Sequence, residues 1–551
     1  MSRHVRARSR WVAAVALAIA GGWTLLLALH ARRLVANYFP IADEWALMAN
    51  SDPRLTNPLT WLTSGFSGYF ETDPSLSEPY ANFLRPVVNL IYCLLGFALA
   101  PASRVRLYFN FAVIGGCAGI TYFCAAKGAQ PRSRGLELAL AAAVPLLPAF
   151  LPSFIEVTPY NAFDALAAAM CLLAYVAAQS DRDGLTVALL TAAVFTKETA
   201  LPVAAAVPAW FLFRNRSRLR ESPILGVRAL WLALPFGLWV VTRHLVFGSV
   251  ASGTYTWTEG IHGTLSKVAT LARHWPMPSI VPDWRSPVSL VALVVNGVLV
   301  AGSIIVVGAR VRRRIPVDLA EVCWLFSYGV MLVVGVVPRY GATVDVFLIV
   351  MVVRAYRARI LRPLTAMMVV AVATCASLSG YFVWRTYPDV EQLMVGYFRV
   401  AKRYVNALQR HSPGDTVVVL NDPVTWHAQL KWLTAVAGVP ATAVKAMDFS
   451  CPASPERLRG PCSVSLRSSE DRRQLDFTED CGLDFCGATV RPNGAVRRTV
   501  LDGVFVELPK IAAGRDARPV WHSMTLTVER PDTFLMYFNP QTRDFEEIHV
   551  P

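Results

Sequence analysis

Long apolar runs alternate with short polar segments through the first 384 residues of the 551-residue chain. A helix needs about 20 mostly apolar residues to cross the hydrocarbon core of a bilayer. The runs that meet this criterion clearly are residues 11–29, 136–154, 229–247, 287–308, 320–337 and 363–384. The pattern therefore predicts an α-helical, polytopic membrane domain over residues 1–384.

Two further apolar runs, residues 83–100 and 107–126, lie close together and create a conflict. If both crossed the membrane, the basic segment 127–134 would lie outside, although basic loops normally stay in the cytoplasm. We therefore expect one net crossing here, with one piece short, re-entrant or interfacial. This gives about eleven spans by the length criterion, and about twelve or thirteen is the alternative count.

The chain becomes polar after Trp384, and residues 385–551 predict a separate soluble domain of mixed α/β structure. Residues 389–410 carry apolar side chains at helical spacing. Residues 415–420 are typical of a short buried strand that ends at an Asn-Asp-Pro turn. The later predicted elements are a helix over 424–436 and strands over 499–507, 523–529 and 533–538.

Composition supports the membrane interpretation. Hydrophobic residues make up 54% of the chain and charged residues only 17%, against about 25% charged residues in soluble proteins. A net charge of +15 would indicate nucleic-acid binding in a soluble protein. Here the basic residues form short clusters between apolar runs, at residues 3–10, 127–134, 214–220, 310–314 and 354–362. Cytoplasmic loops of membrane proteins have this distribution, so we expect no nucleic-acid partner.

The basic clusters also predict the orientation of the chain, because such clusters stay in the cytoplasm. The N-terminus is then cytoplasmic, and residues 31–81 form the first outer loop. Residues 385–551 are expected in the periplasm or another extracytoplasmic space. The protein is accordingly expected to be a multi-pass protein of the inner, cytoplasmic membrane.

The ten cysteines fall into two groups. Six lie in apolar runs, where cysteine usually serves as a small buried hydrophobic residue. The other four, Cys451, Cys462, Cys481 and Cys486, cluster in the soluble region. Their even number in an outer segment predicts two disulfide bonds, with three pairings open. Their spacing lacks the Cys-x-x-Cys repeats of a zinc site.

Candidate chemistry lies where charged residues interrupt the apolar pattern, because such residues are costly in a bilayer. The first candidate is the acidic pair Asp43-Glu44, in the first outer loop at the start of a predicted short helix. A carboxylate there could accept a proton from an acceptor hydroxyl. It could instead bind a divalent metal ion, which is the one cofactor that the sequence suggests. The alternative is that the pair only caps the helix.

Cations form the second group of candidates: Arg85, Lys197 and Arg339, the last followed by Tyr340. Each is expected near the outer face, where a guanidinium or ammonium group could hold a phosphate. Structural alternatives are open for all of them. Arg85 and Arg339 could anchor span ends, and Lys197 could form an ion pair with its neighbour Glu198.

Weaker candidates follow the same logic. Glu156, Tyr160 and Asp164 form a second acidic outer segment that could contact an acceptor, and Arg243-His244 lie at the outer end of a predicted span. A structural role is the favoured interpretation for these residues. Together, however, carboxylates and cations on one face suit the transfer of a group from a lipid-linked phosphate.

The order of these features resembles the GT-C superfamily of membrane glycosyltransferases, which includes protein O-mannosyltransferases, the bacterial aminoarabinose transferase and oligosaccharyltransferases. Asp43-Glu44 matches the acidic motif of the first outer loop in that superfamily. Three segments look like conserved segments of O-mannosyltransferases: Leu-Arg-Pro-Val-Val-Asn-Leu at 84–90, Thr-Lys-Glu-Thr at 196–199 and Pro-Arg-Tyr at 338–340. Residues 159–164 look like the second acidic outer loop but lack the Arg-x-Asp sequence of several relatives.

The resemblance covers residues 1–384 and implies transfer of a sugar from a polyprenyl-phosphate donor to a protein, lipid or glycan acceptor outside the membrane. It implies Asp43 as base, with Glu44 supporting it or binding a metal. Arg85, Lys197, Arg339 and Tyr340 would hold the donor phosphate. Two other classes stay open: a transporter, flippase or polymerase of lipid-linked saccharides, and a non-catalytic membrane assembly protein.

Overall fold

The structure is a computed structural model. It describes residues 3–39, 48, 85–100, 103–126, 134–147, 150, 162–219, 222–247, 287–334, 341–421, 429–446, 449–450, 463–470, 473–480, 487–488, 496–508, 521–539 and 541–550. Within these ranges the chain is mostly helical, and its strands follow residue 415. The described part is thus a helical region followed by a C-terminal α/β region.

The helices of the first region are α1 (Arg3–His30), α2 (Arg32–Asn37), α3 (Pro86–Ala98), α4 (Val105–Ala126), α5 (Arg134–Ala142), α6 (Ala162–Gln179), α7 (Asp183–Thr196), α8 (Leu201–Arg214), α9 (Pro223–Phe247), α10 (Pro287–Arg312), α11 (Leu319–Val334), α12 (Ala342–Arg357) and α13 (Arg362–Leu408). Two 3-10 turns, Val144–Leu146 and Glu198–Ala200, follow α5 and α7.

Six described helices are long and apolar enough to cross a membrane. Their crossing stretches are Arg10–His30, Val105–Ala126, Ala162–Gln179, Pro223–Leu245, Val294–Arg312 and Arg362–Tyr381. Large apolar side chains on these helices are exposed, for example Leu17 to 73% and Leu230 to 74%. Exposed apolar surface of this extent is typical of a surface that meets lipid. The described helices therefore support a multi-pass membrane protein.

α1 and α4 pack in opposite directions through small residues. Gly119 of α4 lies against Ala16 of α1, and Gly115 lies against Ala20. Glycine lets two helix backbones approach closely, which favours helix association in membranes. The pairing brings the start of α1 to the end of α4, where Val12 and Val15 pack against the cluster that contains Ala126.

Ion pairs join several helix ends at that same end of the bundle. Arg354 of α12 lies 3.1 Å from Asp318, which precedes α11, and hydrogen-bonds to Tyr175 of α6. Arg357 donates to the carbonyl of Ala125 in α4. Arg228 of α9 pairs with Asp183 of α7. We call this the basic end, because it gathers the described residues of the basic clusters.

α3 is the short element that the apolar pattern required between residues 83 and 126. It has 13 residues, which span about 20 Å at 1.5 Å per residue and fall short of a bilayer core of about 30 Å. The ring of its middle residue Tyr92 lies tilted against Phe163 at the start of α6, with ring centres 5.9 Å apart, and the guanidinium of Arg106 at the start of α4 lies 5.8 Å from the centre of the Tyr92 ring. α3 therefore stays at the end of the bundle opposite the basic end.

The single span predicted over residues 136–154 is wrong in the described part of that range. α5 ends at Ala142 and is followed by a separate 3-10 turn, Val144–Leu146. Pro145 cannot donate a main-chain hydrogen bond, and its ring clashes with the carbonyl four residues earlier. Apolarity continues through this segment, but the helix does not.

α13 is a helix of 47 residues that runs from the basic end, through a crossing stretch, into the α/β region. The predicted domain boundary at residue 384 lies inside it. Beyond Trp384, α13 packs against the residues on either side of α2. The ring centres of His30, at the end of α1, and Tyr387 lie 3.8 Å apart, and Tyr38, just after α2, meets Phe398 edge to face. The predicted helix over 389–410 is thus the continuation of the last crossing helix.

The α/β region contains β1 (Thr416–Val419), α14 (Gln429–Ala437), β2 (Thr442–Lys445), β3 (Phe449–Ser450), β4 (Ser463–Ser468), β5 (Gln474–Asp480), β6 (Gly487–Ala488), β7 (Val496–Leu501), β8 (Val504–Leu508), β9 (Trp521–Val528), β10 (Thr533–Asn539) and β11 (Asp544–Val550). A mixed sheet has the order β11-β10-β1-β2, in which β1 is parallel to β2 and β10. An antiparallel sheet has the order β4-β5-β9-β8-β7, and β3 pairs with β6.

β1 is buried on both faces and joins two cores. Val418 packs in a cluster with Phe477 and Leu526 of the antiparallel sheet. Val417 and Val419 belong to the cluster that includes Tyr404 of α13. Since side chains alternate between the faces of a strand, one strand links the antiparallel sheet to the helical region.

The single strand predicted over residues 499–507 is wrong, because β7 and β8 form a hairpin there. The chain reverses at Asp502-Gly503, where Gly503 has a φ of +77°. Asp-Gly is a strong hairpin signal, since glycine accepts positive φ without steric cost. The strands predicted at 415–420, 523–529 and 533–538 correspond to β1, β9 and β10.

Candidate functional site

Among the residues that the structure describes, five helix ends meet around residues 197–200, opposite the basic end. They are the N-terminal ends of α3, α6, α8 and α12 and the C-terminal end of α7. Thr343, in the first turn of α12, donates a hydrogen bond of 3.4 Å to the carbonyl oxygen of Thr199. An N-terminus carries a partial positive charge of about half a unit. The convergence therefore creates a positively polarised region.

Arg85 and Glu198 form one buried ion pair in this region. Arg85 Nη2 and Nε lie 2.9 and 3.2 Å from Glu198 Oε2. The two side chains are only 10% and 13% exposed. Glu198 Oε1 has no hydrogen-bond partner among the described residues, so this oxygen retains capacity for a donor.

Lys197 and Asp164 form the second buried ion pair. Lys197 Nζ lies 3.3 Å from Asp164 Oδ2, and the side chains are 4% and 2% exposed. Thr199 Oγ1 donates to Asp164 Oδ1 at 3.4 Å. The neighbours Lys197 and Glu198 thus each pair with a residue that is distant in sequence. We call Arg85, Asp164, Lys197 and Glu198 the four-charge cluster.

The electrostatics of the cluster keep Glu198 ionised. Burial alone would raise the pKa of Glu198, but the charges of Arg85 and Lys197, with the hydrogen bond from Arg85, hold the pKa below its ordinary value. The cluster then contains two cations and two carboxylates, which balance. Because four helix N-termini also point toward it, added negative charge would be stabilised there.

Arg243 and His244 lie near the C-terminal end of α9. Arg243 is buried to 4% exposure, with its guanidinium 5.3 Å from the centre of the Trp239 ring. His244 is exposed. The contacts described for this pair give a cation–aromatic packing role to Arg243 and do not bring either residue into the four-charge cluster.

Several predicted site residues lie outside the described residues: Asp43, Glu44, Glu156, Tyr160, Arg339 and Tyr340. The candidate metal ligands Asp43 and Glu44 are among them. Within the described part of the chain, no group of three His, Cys, Asp or Glu side chains is arranged to hold a metal ion. The four cysteines predicted to form disulfides also lie outside the described residues. The six described cysteines are buried and not disulfide-bonded: Cys93, Cys117, Cys124, Cys171, Cys323 and Cys375.

Asp345 is a buried acidic residue that the sequence analysis missed. It lies in the first turn of α12, two residues after Thr343, and is 2% exposed. It is close enough to Cys375 of α13 to interact electrostatically. The signal was present in the sequence, since Asp345 is an ionisable residue within an apolar run.

The sequence of the chain was compared with protein families and with curated proteins. It matches no protein-family model, and the search of curated proteins finds no match. The geometry of the four-charge cluster and the sequence pattern therefore carry the functional argument.

Proposed function

We propose that the protein is a GT-C-like membrane glycosyltransferase that moves a sugar from a polyprenyl-phosphate donor to an acceptor outside the cytoplasm. The observation that carries the proposal is the four-charge cluster. It combines two buried cations with four converging helix N-termini, at the end of the bundle opposite the basic end. A lipid phosphate that gains charge on leaving suits such surroundings.

The proposed reaction is a direct displacement with inversion. The acceptor hydroxyl oxygen bonds to the anomeric carbon as the bond from that carbon to the phosphate oxygen breaks. The hydroxyl proton passes to the carboxylate of Asp43, which Glu44 supports or complements by holding a metal ion. The leaving polyprenyl phosphate takes the bonding electrons and one further negative charge.

Arg85 and Lys197 stabilise that added charge in our proposal, together with Arg339 and Tyr340. Since Arg85 and Lys197 are paired with carboxylates in the structure, the phosphate would bind beside the pairs or displace Glu198 or Asp164 from them. Arginine is suited to this exchange because its planar fork grips two oxygens of either a carboxylate or a phosphate.

The proposal includes the orientation of the chain. The basic end lies in the cytoplasm, and the four-charge cluster and the α/β region lie on the outer side. The α/β region would then be periplasmic or extracytoplasmic and stabilised by disulfides among the cysteines after residue 450. An acceptor protein, lipid or glycan would approach between this region and the outer leaflet.

A non-catalytic role is the competing function that one observation favours. Both cations have carboxylate partners, so the four-charge cluster could serve only to join helix ends. The two functions differ in what they require of Asp43. An assembly protein would tolerate loss of that carboxylate, whereas a transferase would lose its base.

The test is sugar transfer by the purified full-length protein in vesicles that contain a polyprenyl-phosphate hexose labelled in the sugar. We expect Asp43→Asn to release about a hundredfold less sugar from the lipid than the unmodified protein, as is common when a general base is removed. Asp52→Asn, in the same loop, is the matched control and should retain activity. An Asp43→Asn protein that inserts normally and stays fully active would refute the assignment.

A further inference from the structure

A cavity lies between α2, the last third of α13 and the turn that joins β10 to β11. Its volume is about 690 Å³, within the range of about 300–1,000 Å³ that is typical of small-molecule sites. Its lining includes Arg33, Arg399, Arg403 and Arg543, with Glu391 as the one acidic side chain among the described lining residues. We call it the arginine cavity.

One face of α13 forms the floor of the arginine cavity. Glu391, Val395, Arg399 and Arg403 recur at helical spacing, so their side chains share a face. Gly396, which also lines the cavity, adds no side chain and leaves space at its centre. This face of α13 thus leaves space at Gly396 and carries two arginines, Arg399 and Arg403, one turn apart.

The charges of the cavity are unbalanced. Arg33 Nη1 lies 3.7 Å from Glu391 Oε2, so the one carboxylate is already engaged. Arg403 donates to the main-chain carbonyl of Arg543, which holds these two cationic residues together. Arg399 and Arg403 lie one helical turn apart, a spacing at which like charges are destabilising unless an anion offsets them.

Arg543 adopts a backbone conformation that favours glycine. Its φ is +57°, in the left-handed region, where a β-carbon is disfavoured. Glycine or asparagine is the usual residue at such a turn position. This turn places a long cationic side chain in the lining of a cavity that already contains Arg33, Arg399 and Arg403.

The cavity begins next to the ends of two crossing stretches. Arg33 follows the stretch that ends at His30, and the α13 stretch ends at Tyr381, just before the exposed Trp384. Glu391 lies about 15 Å further along the helix, at 1.5 Å per residue. An interfacial headgroup layer is about 5–8 Å thick. The floor of the cavity on α13 therefore lies just beyond the headgroup layer, in water, and Arg33 is the lining residue that follows a crossing stretch most directly in sequence.

We propose that the arginine cavity binds a phosphate-bearing anion. Guanidinium groups grip phosphate oxygens two at a time, and four of them around one space exceed the charge of the single carboxylate. The phosphate is either part of a lipid headgroup or part of a soluble molecule. The proposal stands apart from sugar transfer, because it uses none of the residues assigned to that reaction.

The test has two arms, both with the full-length protein. In one arm, inorganic pyrophosphate is titrated by calorimetry into the protein in uncharged detergent at low ionic strength. In the other, the protein is reconstituted into phosphatidylcholine vesicles with a minor fraction of phosphatidylglycerol, and the bound anionic lipid is counted by native mass spectrometry. Binding in the first arm identifies a soluble source, and binding in the second identifies a headgroup.

Three variants decide whether the arginine cavity is the binding site. Arg399→Gln with Arg403→Gln should weaken binding of the active probe about tenfold or more. Lys402→Gln is the matched control, because Lys402 is exposed on the same helix but does not line the cavity. Arg543→Gly should also weaken binding while the melting temperature stays equal or rises, since glycine fits the positive φ.

Two results would overturn the proposal. One is that the unmodified protein binds neither pyrophosphate nor phosphatidylglycerol. The other is that Lys402→Gln weakens binding as much as the double variant, which would show general charge attraction only. The Arg543→Gly variant keeps the test decisive even if the double variant fails to fold, because its expected effects on binding and stability have opposite directions.

Discussion

Lys197 Nζ lies 3.3 Å from Asp164 Oδ2, so the end of α7 is tied to the start of α6. The next residue, Glu198, is tied in turn to Arg85 ahead of α3. A dipeptide that could neutralise itself instead joins three separate segments. The two ion pairs therefore hold the end of α7 and the starts of α3 and α6 together around the proposed phosphate site.

Removal of the Asp164 carboxylate should destabilise the protein strongly. Asp164→Asn removes the carboxylate that lies 3.3 Å from Lys197 Nζ in a pair whose side chains are 4% and 2% exposed, and breaking a buried ion pair costs about 3–5 kcal/mol. Thermal unfolding of the purified protein in detergent measures the effect. Asp181→Asn is the control, since Asp181 is 67% exposed in its pair with Arg228 and exposed pairs contribute about 0–1 kcal/mol. Equal losses in both variants would contradict the buried pairing.

Stability should fall at acid pH through Glu198. The pKa of Glu198 in the folded protein is below its ordinary value of 4.5. The unfolded chain therefore binds protons first as the pH drops, and the contribution present above about pH 4.5 is lost as the pH passes through the lower folded pKa. Melting temperatures between about pH 7 and pH 3 should show this decline.

Glu198→Gln should lower the melting temperature at neutral pH and flatten the acid dependence. The matched control is Glu470→Gln, which changes an exposed carboxylate in the α/β region and removes no buried ion pair. A steep acid decline that persists in Glu198→Gln would assign the effect to another group.

Because α1 packs closely on α4, alanine substitutions at Gly116 and Gly119 of α4 should have different effects on stability. A β-carbon on Gly119 would overlap the carbonyl oxygen of Ala16, whereas one on Gly116 meets nothing within 4 Å. Gly119→Ala should therefore cost about 1–3 kcal/mol through overpacking. Gly116→Ala should be neutral or stabilising by up to about 1 kcal/mol, because alanine favours helix more than glycine. Thermal unfolding compares them, and the same change in both would refute the close approach.

The ten cysteines should differ in their chemistry. Six are buried and not disulfide-bonded in the structure, and we predict that Cys451, Cys462, Cys481 and Cys486 form two disulfides. Alkylation after unfolding without a reductant should then modify six thiols, and alkylation after reduction should modify ten. Mass spectrometry of the intact protein counts the added groups. Ten modified thiols before reduction would contradict the disulfides.

Hydropathy predicted four of the six described crossing helices as clear spans, because the signal of an apolar run is local, whereas Ala162–Gln179 was not among the predicted spans. The apolar runs at 11–29, 229–247, 287–308 and 363–384 all lie in α1, α9, α10 and α13. The same signal failed at Pro145, because a sum of apolar residues does not register a missing hydrogen-bond donor. Hydropathy also missed the hairpin turn at Asp502-Gly503, although the Asp-Gly sequence itself predicts such a turn.

The candidate site was predictable only in part. Arg85, Lys197 and Asp164 stood out because each interrupts an apolar pattern, and the structure brings these three together. Their partners could not be predicted, because pairing depends on which helix ends meet in space. Asp345 was overlooked although it meets the same criterion.

The continuity of α13 has a mechanical consequence. One helix of 47 residues is both a crossing segment and the support of the mixed sheet. Its length therefore fixes the distance and the rotation between the crossing stretch and the sheet. Each residue inserted between Trp384 and Glu391 would lift the C-terminal part of the helix by about 1.5 Å and rotate it by about 100°. A single inserted residue would thus turn Arg399 and Arg403 away from α2. An insertion of seven residues, close to two full turns, would nearly restore their direction but would place them about 10 Å further along the helix axis.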